Sequence, residues 1–126
     1  MILVDANLLL YAKVADYPQH PRAAAWLEDR RNASDRVGLP WPSLLAFLRL
    51  ITNARLFAQP LGLSDAWAQV EEWLALPPVW IPTPTALHDM QLGPLLQIAG
   101  ATANLVPDAH LAALAREHDL TLCSSQ

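Results

Sequence analysis

Asp5 closes a short apolar run, Ile2-Leu3-Val4, and stands directly before a helix-like stretch, Leu8-Leu9-Leu10-Tyr11-Ala12. A wholly apolar run of this length fits a strand buried on both faces, as in a parallel sheet. In open α/β sheets ligands gather just outside the carboxyl ends of such strands, which is where Asp5 falls. An Asp in a strand-to-helix turn also often does no more than satisfy backbone N–H groups, so position alone leaves the two readings level. A second carboxylate, Asp108 in Val106-Pro107-Asp108-Ala109-His110, opens another helix, and taken alone it reads as an N-cap. Both acids lie at helix openings beside short strands, so one sheet edge can hold the pair. Two such carboxylates suit Mg²⁺, which keeps several waters and is often held by one or two acids plus substrate phosphate. An ion held that way generates hydroxide and steadies the charge that builds on a phosphoryl group.

Other reactive side chains offer less. His20, His88, His110 and His118 make no i,i+4 metal-binding pair within one helix. His110, two residues past Asp108, is in reach of a phosphate, although a partly exposed histidine at a helix start is the simpler reading. Arg49 sits on a helix that reads as buried, so its charge needs either an internal acid or a bound phosphate, the internal acid being the first expectation. Cys123 in an apolar strand reads as core. The Trp residues are spread over several elements and are not interleaved with basic residues, which favours core or interface over base-stacking. No Gly-rich phosphate loop, Gly-x-Ser-x-Gly or Cys-x-x-Cys occurs.

The elements that must position these groups alternate. Helices are expected over Leu8–Ala15 (capped by Asn7), Arg22–Arg31, from Trp41-Pro42-Ser43 past Ile51, from Ser64 or Asp65 to Leu76, from Thr83-Pro84 to Ala99, and over Asp108–His118. Between them, Val37-Gly38-Leu39, Val79-Trp80-Ile81 and Leu120–Ser124 read as strands. Strands alternating with helices imply an α/β domain with a parallel sheet covered on both faces. The 126 residues make one domain, 1–126, with a core of ordinary size. No apolar run approaches the length of a membrane span, and the first residues show no secretory signal. A lone cysteine excludes an internal disulfide framework and fits a reducing, cytoplasmic compartment. The formal charge of −4, from eight basic and twelve acidic residues, gives no broad field for nucleic acid. Contact with phosphate would have to run through metal held by the acids.

Ile2-Leu3-Val4-Asp5-Ala6-Asn7-Leu8-Leu9-Leu10-Tyr11-Ala12 resembles the opening of PIN-domain proteins of the VapC toxin family. Gly38-Leu39-Pro40-Trp41 with Leu45-Ala46-Phe47-Leu48-Arg49-Leu50 resembles the second block of one VapC subgroup, and Asn104–Ala115 its third. Thr121-Leu122-Cys123-Ser124-Ser125 resembles the strand leading to the last acidic motif. The blocks fall in the family's order over nearly the whole chain. The resemblance implies a PIN-like three-layer α/β/α fold with a short, mainly parallel four-stranded sheet flanked by helices. It also implies an endoribonuclease dependent on Mg²⁺ (or Mn²⁺), the toxin of a type II toxin–antitoxin pair. A VapB-like antitoxin, an RNA substrate and a second copy in a homodimer are the partners it implies. Asp5 and Asp108 match the family's catalytic, metal-associated aspartates, and Arg49 and Asn104 are candidates for substrate contact.

Two departures bear on the activity. No Asp or Glu lies between Asp35 and Asp65, so the acid that many PIN nucleases carry around Ala46 or Phe47 has no counterpart. Gln126 stands where the family usually has an Asp before a final strand, so the C-terminal end of the usual domain is expected to be missing. A pair of acids should hold one ion, weakly. The rival reading is therefore a VapC homologue that no longer cuts RNA and serves only to bind its antitoxin. A receiver-type phosphoacceptor at Asp5 is a third; a second acid beside Asp5 and a late lysine are both absent, Lys13 being the only lysine.

Overall fold

The computed structural model describes residues 2–15, 17–31, 36–98, 103 and 105–123. Among them four strands, β1 (Ile2–Val4), β2 (Val37–Gly38), β3 (Val79–Trp80) and β4 (Thr121–Cys123), form one sheet in the order β3-β2-β1-β4. All three pairings are parallel, with Ile2 opposite both Val37 and Thr121 and Val4 opposite Cys123. The expectation of a short parallel sheet therefore stands. The helices among the described residues are α1 (Ala6–Lys13), α2 (His20–Arg31), α3 (Trp41–Ile51), α4 (Leu63–Leu74), α5 (His88–Ile98) and α6 (Leu105–Glu117).

Alternation along β1 builds the three layers, because successive strand side chains point to opposite faces. Ile2 and Val4 join Val37, Leu39, Leu44, Phe47, Val70 and Trp73 in a core shared with α1, α3 and α4. Leu3 points the other way, into a second core with Leu111, Leu114 and Ala115 of α6, Leu120 and Trp80. The sheet is thus covered on both faces. Gly38 sits at a close approach: a Cβ there would lie 3.1 Å from Pro82 Cγ and 3.2 Å from the carbonyl of Ile2, so a larger residue would need these neighbours to give by a few tenths of an ångström. No helix among the described residues is long and apolar enough to cross a membrane.

Several helix boundaries depart from expectation, and each has a local cause. Helix α1 is capped by Asp5, not Asn7, since the Asp5 carboxylate accepts the Leu8 N–H at 3.1 Å. Ser43 caps nothing; α3 begins at Trp41 after Pro40, and the Ser43 hydroxyl donates to the carbonyl of Val4 at 2.8 Å. Helix α4 starts at Leu63 behind Gly62, without a side-chain cap. Thr83-Pro84 does not open α5, which begins at His88 after a turn in which Thr85 Oγ1 accepts the Leu87 N–H. Helix α6 begins at Leu105, three residues before Asp108, which therefore lies in the first turn and not at the cap. The expected end of α5 at Ala99-Gly100, the turn at Asn32–Asp35 and the position of Gln126 lie outside the described residues.

Candidate metal centre

Asp5 follows β1 directly, and its backbone N–H donates to the carbonyl of Cys123 in β4 at 3.2 Å. That bond fixes the residue just off the carboxyl end of the sheet's two paired strands. One carboxylate oxygen is occupied by the Leu8 amide; the side chain is half-buried. Helix α6 leads into β4 through a short connection after Glu117, so it runs back along the sheet and its first turn returns to the same carboxyl edge. There Asp108 is exposed. Burial raises the Asp5 carboxyl above its ordinary value, the amides of Leu8 and Asn7 lower it in part, and the charge of Asp108 raises it again. The charge of Asp108 thus reaches Asp5. Among the described residues neither has a lysine or arginine partner.

Negative charge that is half-desolvated and lacks an offsetting cation fits a small divalent ion that retains its waters. The residues present suit Mg²⁺ on that ground, with Asp5 and Asp108 as the groups that would hold it. No cluster of three or more His, Cys, Asp or Glu side chains with metal-binding placement occurs among the described residues. Phe47, where a family acid was sought, is wholly buried, and Ala46 is half-buried. A pocket of 360 Å³ lies elsewhere, at the far end of α1 between Lys13, Val14, Ile51, Phe57 and Leu61. With Asp108 exposed and Asp5 half-buried, this edge is accessible to a polymer.

The other expectations fare unevenly. Arg49 is exposed, because α3 buries only one side, through Ser43, Leu44, Phe47 and Ile51; it needs no internal acid. Asn104 lies outside the described residues. His110 does not stand free at a helix start. Its Nδ1 lies 3.0 Å from Nε2 of His88, and His88 Nδ1–H donates to Glu117 Oε2 at 2.5 Å. Glu117 Oε1 accepts both the amide and the hydroxyl of Thr85. This chain of groups ties α5 to α6, the helix that carries Asp108, and sequence reading missed it. The available signal was the spacing of His110 and Glu117, seven residues or about two turns apart on one helix face.

Burial alone would raise the Glu117 carboxyl, but the hydrogen bonds from Thr85 and His88 outweigh it and hold the group below its usual range. A carboxyl depressed in the folded state contributes stability above its ordinary value of 4.5 and loses it as pH falls through the folded value. Glu117→Gln should therefore cost roughly 1–3 kcal/mol near neutral pH, the scale of hydrogen bonds to a charged acceptor. In urea melts the gap from the parent chain should narrow as pH drops below 4.5. A gap that stays constant across pH would show that the carboxylate's charge contributes nothing.

Comparison with known proteins agrees with this architecture. The PIN domain family matches residues 2–125. This chain is a PIN domain of the VapC family. Ribonuclease VapC33 of Mycobacterium tuberculosis is 46% identical over 126 residues, spanning 99% of this chain and 87% of that protein. The crystal structure of M. tuberculosis VapC20, described as a sarcin–ricin loop cleaving toxin, superposes with a TM-score of 0.70 at 18% identity, covering 95% of this chain and 85% of that one. VapBC2 from Rickettsia felis, solved bound to a DNA fragment from its promoter, superposes with a TM-score of 0.65 at 14% identity, covering 100% of this chain and 88% of that one. The VapC resemblance read from the sequence blocks and the PIN fold it implied are both borne out.

Proposed function

We propose that this VapC-family chain is a metal-dependent endoribonuclease, the toxin of a VapBC-type pair, with Asp5 and Asp108 as its metal-holding, catalytic acids. The observation that supports the reading is the placement of Asp5 at the carboxyl edge of the sheet within reach of the charge of Asp108, with no lysine or arginine paired to either among the described residues. The ribonuclease name of a relative 46% identical over 126 residues supports RNA as the substrate. When bound, Mg²⁺ or Mn²⁺ supplies Lewis-acid polarisation of the phosphate and an acidified water. Asp5 is oriented by the amides of Leu8 and Asn7, and in that position it would hold the ion together with Asp108. Asp108, exposed and close by, contributes the second carboxylate. A VapB-like antitoxin that covers this edge would silence the enzyme, and the active form is a homodimer acting on cytoplasmic RNA.

The test is cleavage of total RNA by the purified, antitoxin-free chain with and without divalent metal. Cleavage should require added Mg²⁺ or Mn²⁺, stop with EDTA and return with excess metal. Undiminished cleavage in EDTA would sink the metal assignment. If Mn²⁺ titrated to millimolar levels neither binds nor elicits cleavage, the chain is an antitoxin-binding homologue and not a nuclease.

A further inference from the structure

Sequence reading set the tryptophans aside as scattered core residues, but two of them meet on the surface. Trp41 of α3 and Trp67 of α4 stack with ring planes 12° apart and centroids 6.3 Å apart. They remain 37% and 42% exposed, in contrast to Trp73, which is buried against Phe47. Parallel indoles half-open to solvent form a flat apolar surface that the fold's own core does not use.

Placement gives the pair a role. Helix α3 starts immediately after β2, at the same carboxyl edge of the sheet as Asp5. Its first turn is joined to the end of β1 by the hydrogen bond from Ser43 to the carbonyl of Val4, the residue before Asp5. Trp41 opens α3 two residues before Ser43, which places it in the turn at that same edge. From Trp41 the exposed side of α3 continues through Leu45 to Arg49, at i+4 and i+8. Eight helical residues span about 12 Å. Residues 36–64 contain Arg36, Arg49 and Arg55 and no acid, in a chain of net charge −4. Arg49 is thus the charge that shares the exposed side of α3 with Trp41, and an aromatic ring with a cation further along the same face matches a base and its phosphates. Single-stranded nucleic acid is held by that pairing of aromatic stacking and positive charge.

Resting on the ribonuclease reading above, we propose that Trp41, backed by Trp67, stacks an unpaired base of the RNA next to the scissile phosphate, with Arg49 meeting the backbone further along α3. The stack requires an unpaired base, because only an unstacked base presents a face to the indole.

The experiment measures Kd for a fluorescein-labelled single-stranded oligoribonucleotide in EDTA, by anisotropy, with metal-dependent cleavage of the same oligomer followed separately. Trp41→Ala should weaken binding about 5- to 100-fold, the range of single base–aromatic stacks. Trp41→Phe should restore most of the affinity, and the effect on cleavage should fall on KM more than on kcat. Because Trp41→Ala also removes a packing contact, a second arm leaves the protein intact. An abasic site moved along the oligomer should weaken binding to the unaltered chain at one position beside the cut. Equal affinity for every abasic oligomer, or wild-type affinity in folded Trp41→Ala, overturns the platform while metal-dependent cleavage still upholds the nuclease. If Trp41→Ala instead changes only the elution volume of the chain, the face is a protein interface and the platform is likewise overturned. Failure of the parent chain to cleave RNA in any metal counts against the nuclease reading itself.

Discussion

Asp5→Asn should lower kcat/KM for RNA at least about a hundredfold and at the same time make the metal-free protein no less stable, or more so. The first half follows from charge. Removing one preorganised group that stabilises transition-state charge commonly costs about 10²–10³ in rate, and neutral Asn cannot hold a hard dication as firmly as a carboxylate. The second half follows from what Asp5 endures without metal. Burial and the neighbouring Asp108 both push its carboxyl up, so the ionised form is a cost to the folded state at neutral pH. Asn removes that cost and keeps an oxygen to accept the Leu8 N–H. The sign can be tested with pH. A carboxyl raised in the folded state binds its proton more readily there than in the unfolded chain, so the parent protein gains stability as pH falls through the raised value towards 3.8. The melting advantage of Asp5→Asn should therefore be largest near neutrality and shrink on acidification. Added Mg²⁺ should raise the melting temperature of the parent chain and leave the variant unmoved, since a ligand stabilises only the state that binds it. A variant that cleaves as well as its parent while folded removes Asp5 from the site; one that melts lower at pH 7 shows that its charge supports the fold.

The strands could be read because each is an apolar run bounded by turn residues: Ile2-Leu3-Val4 before Asp5, Val37-Gly38 before Pro40, Val79-Trp80 after Pro77-Pro78. A parallel sheet and the carboxyl-end position of Asp5 follow from that pattern alone. Helix openings were less legible, because residue type names a cap only if the side chain has no better partner. Ser43 had one, the carbonyl of Val4, 39 residues away. Asn7 lost its role to Asp5, whose oxygen reaches the Leu8 amide. Arg49 looked buried because α3 is apolar around most of its circumference, yet Trp41 and Leu45 share its exposed side. The His110–His88–Glu117 chain and the Trp41–Trp67 stack depend on which helices the crossovers place side by side, and periodicity carries no such information. Asp108 stood out by its place at a helix opening, where alone it read as a cap, and the resemblance singled it out further; that its charge reaches Asp5 is a product of the return of α6 to the sheet's carboxyl edge.

Phe47→Ala should cost about 3–5 kcal/mol, the range for an aromatic removed from a close-packed core. The ring is 0% exposed and meets Trp73 edge-on, with centroids 4.9 Å apart and planes 64° apart. Around it lie Val4, Leu9, Leu39 and Val70, contributed by β1, α1, the end of β2 and α4, so no single element can move in to fill the space. Against a typical total of about 5–15 kcal/mol that loss is a large share, and the melting temperature should drop by roughly 10–20 °C. The same position shows why a third acid cannot be placed at residue 47 in this chain. A carboxylate there would lose both water and the Trp73 contact and gain no cationic partner, which costs more than the cavity does. Phe47→Leu keeps much of the volume and should cost distinctly less, while Phe47→Glu should fail to fold. Thermal and urea melts of the three variants rank these effects. A loss below about 1 kcal/mol in Phe47→Ala would mean that α3 and α4 close over the gap. The core that pins Ser43 against Val4, and with it the edge on which Asp5 sits, would then be far softer than its packing implies.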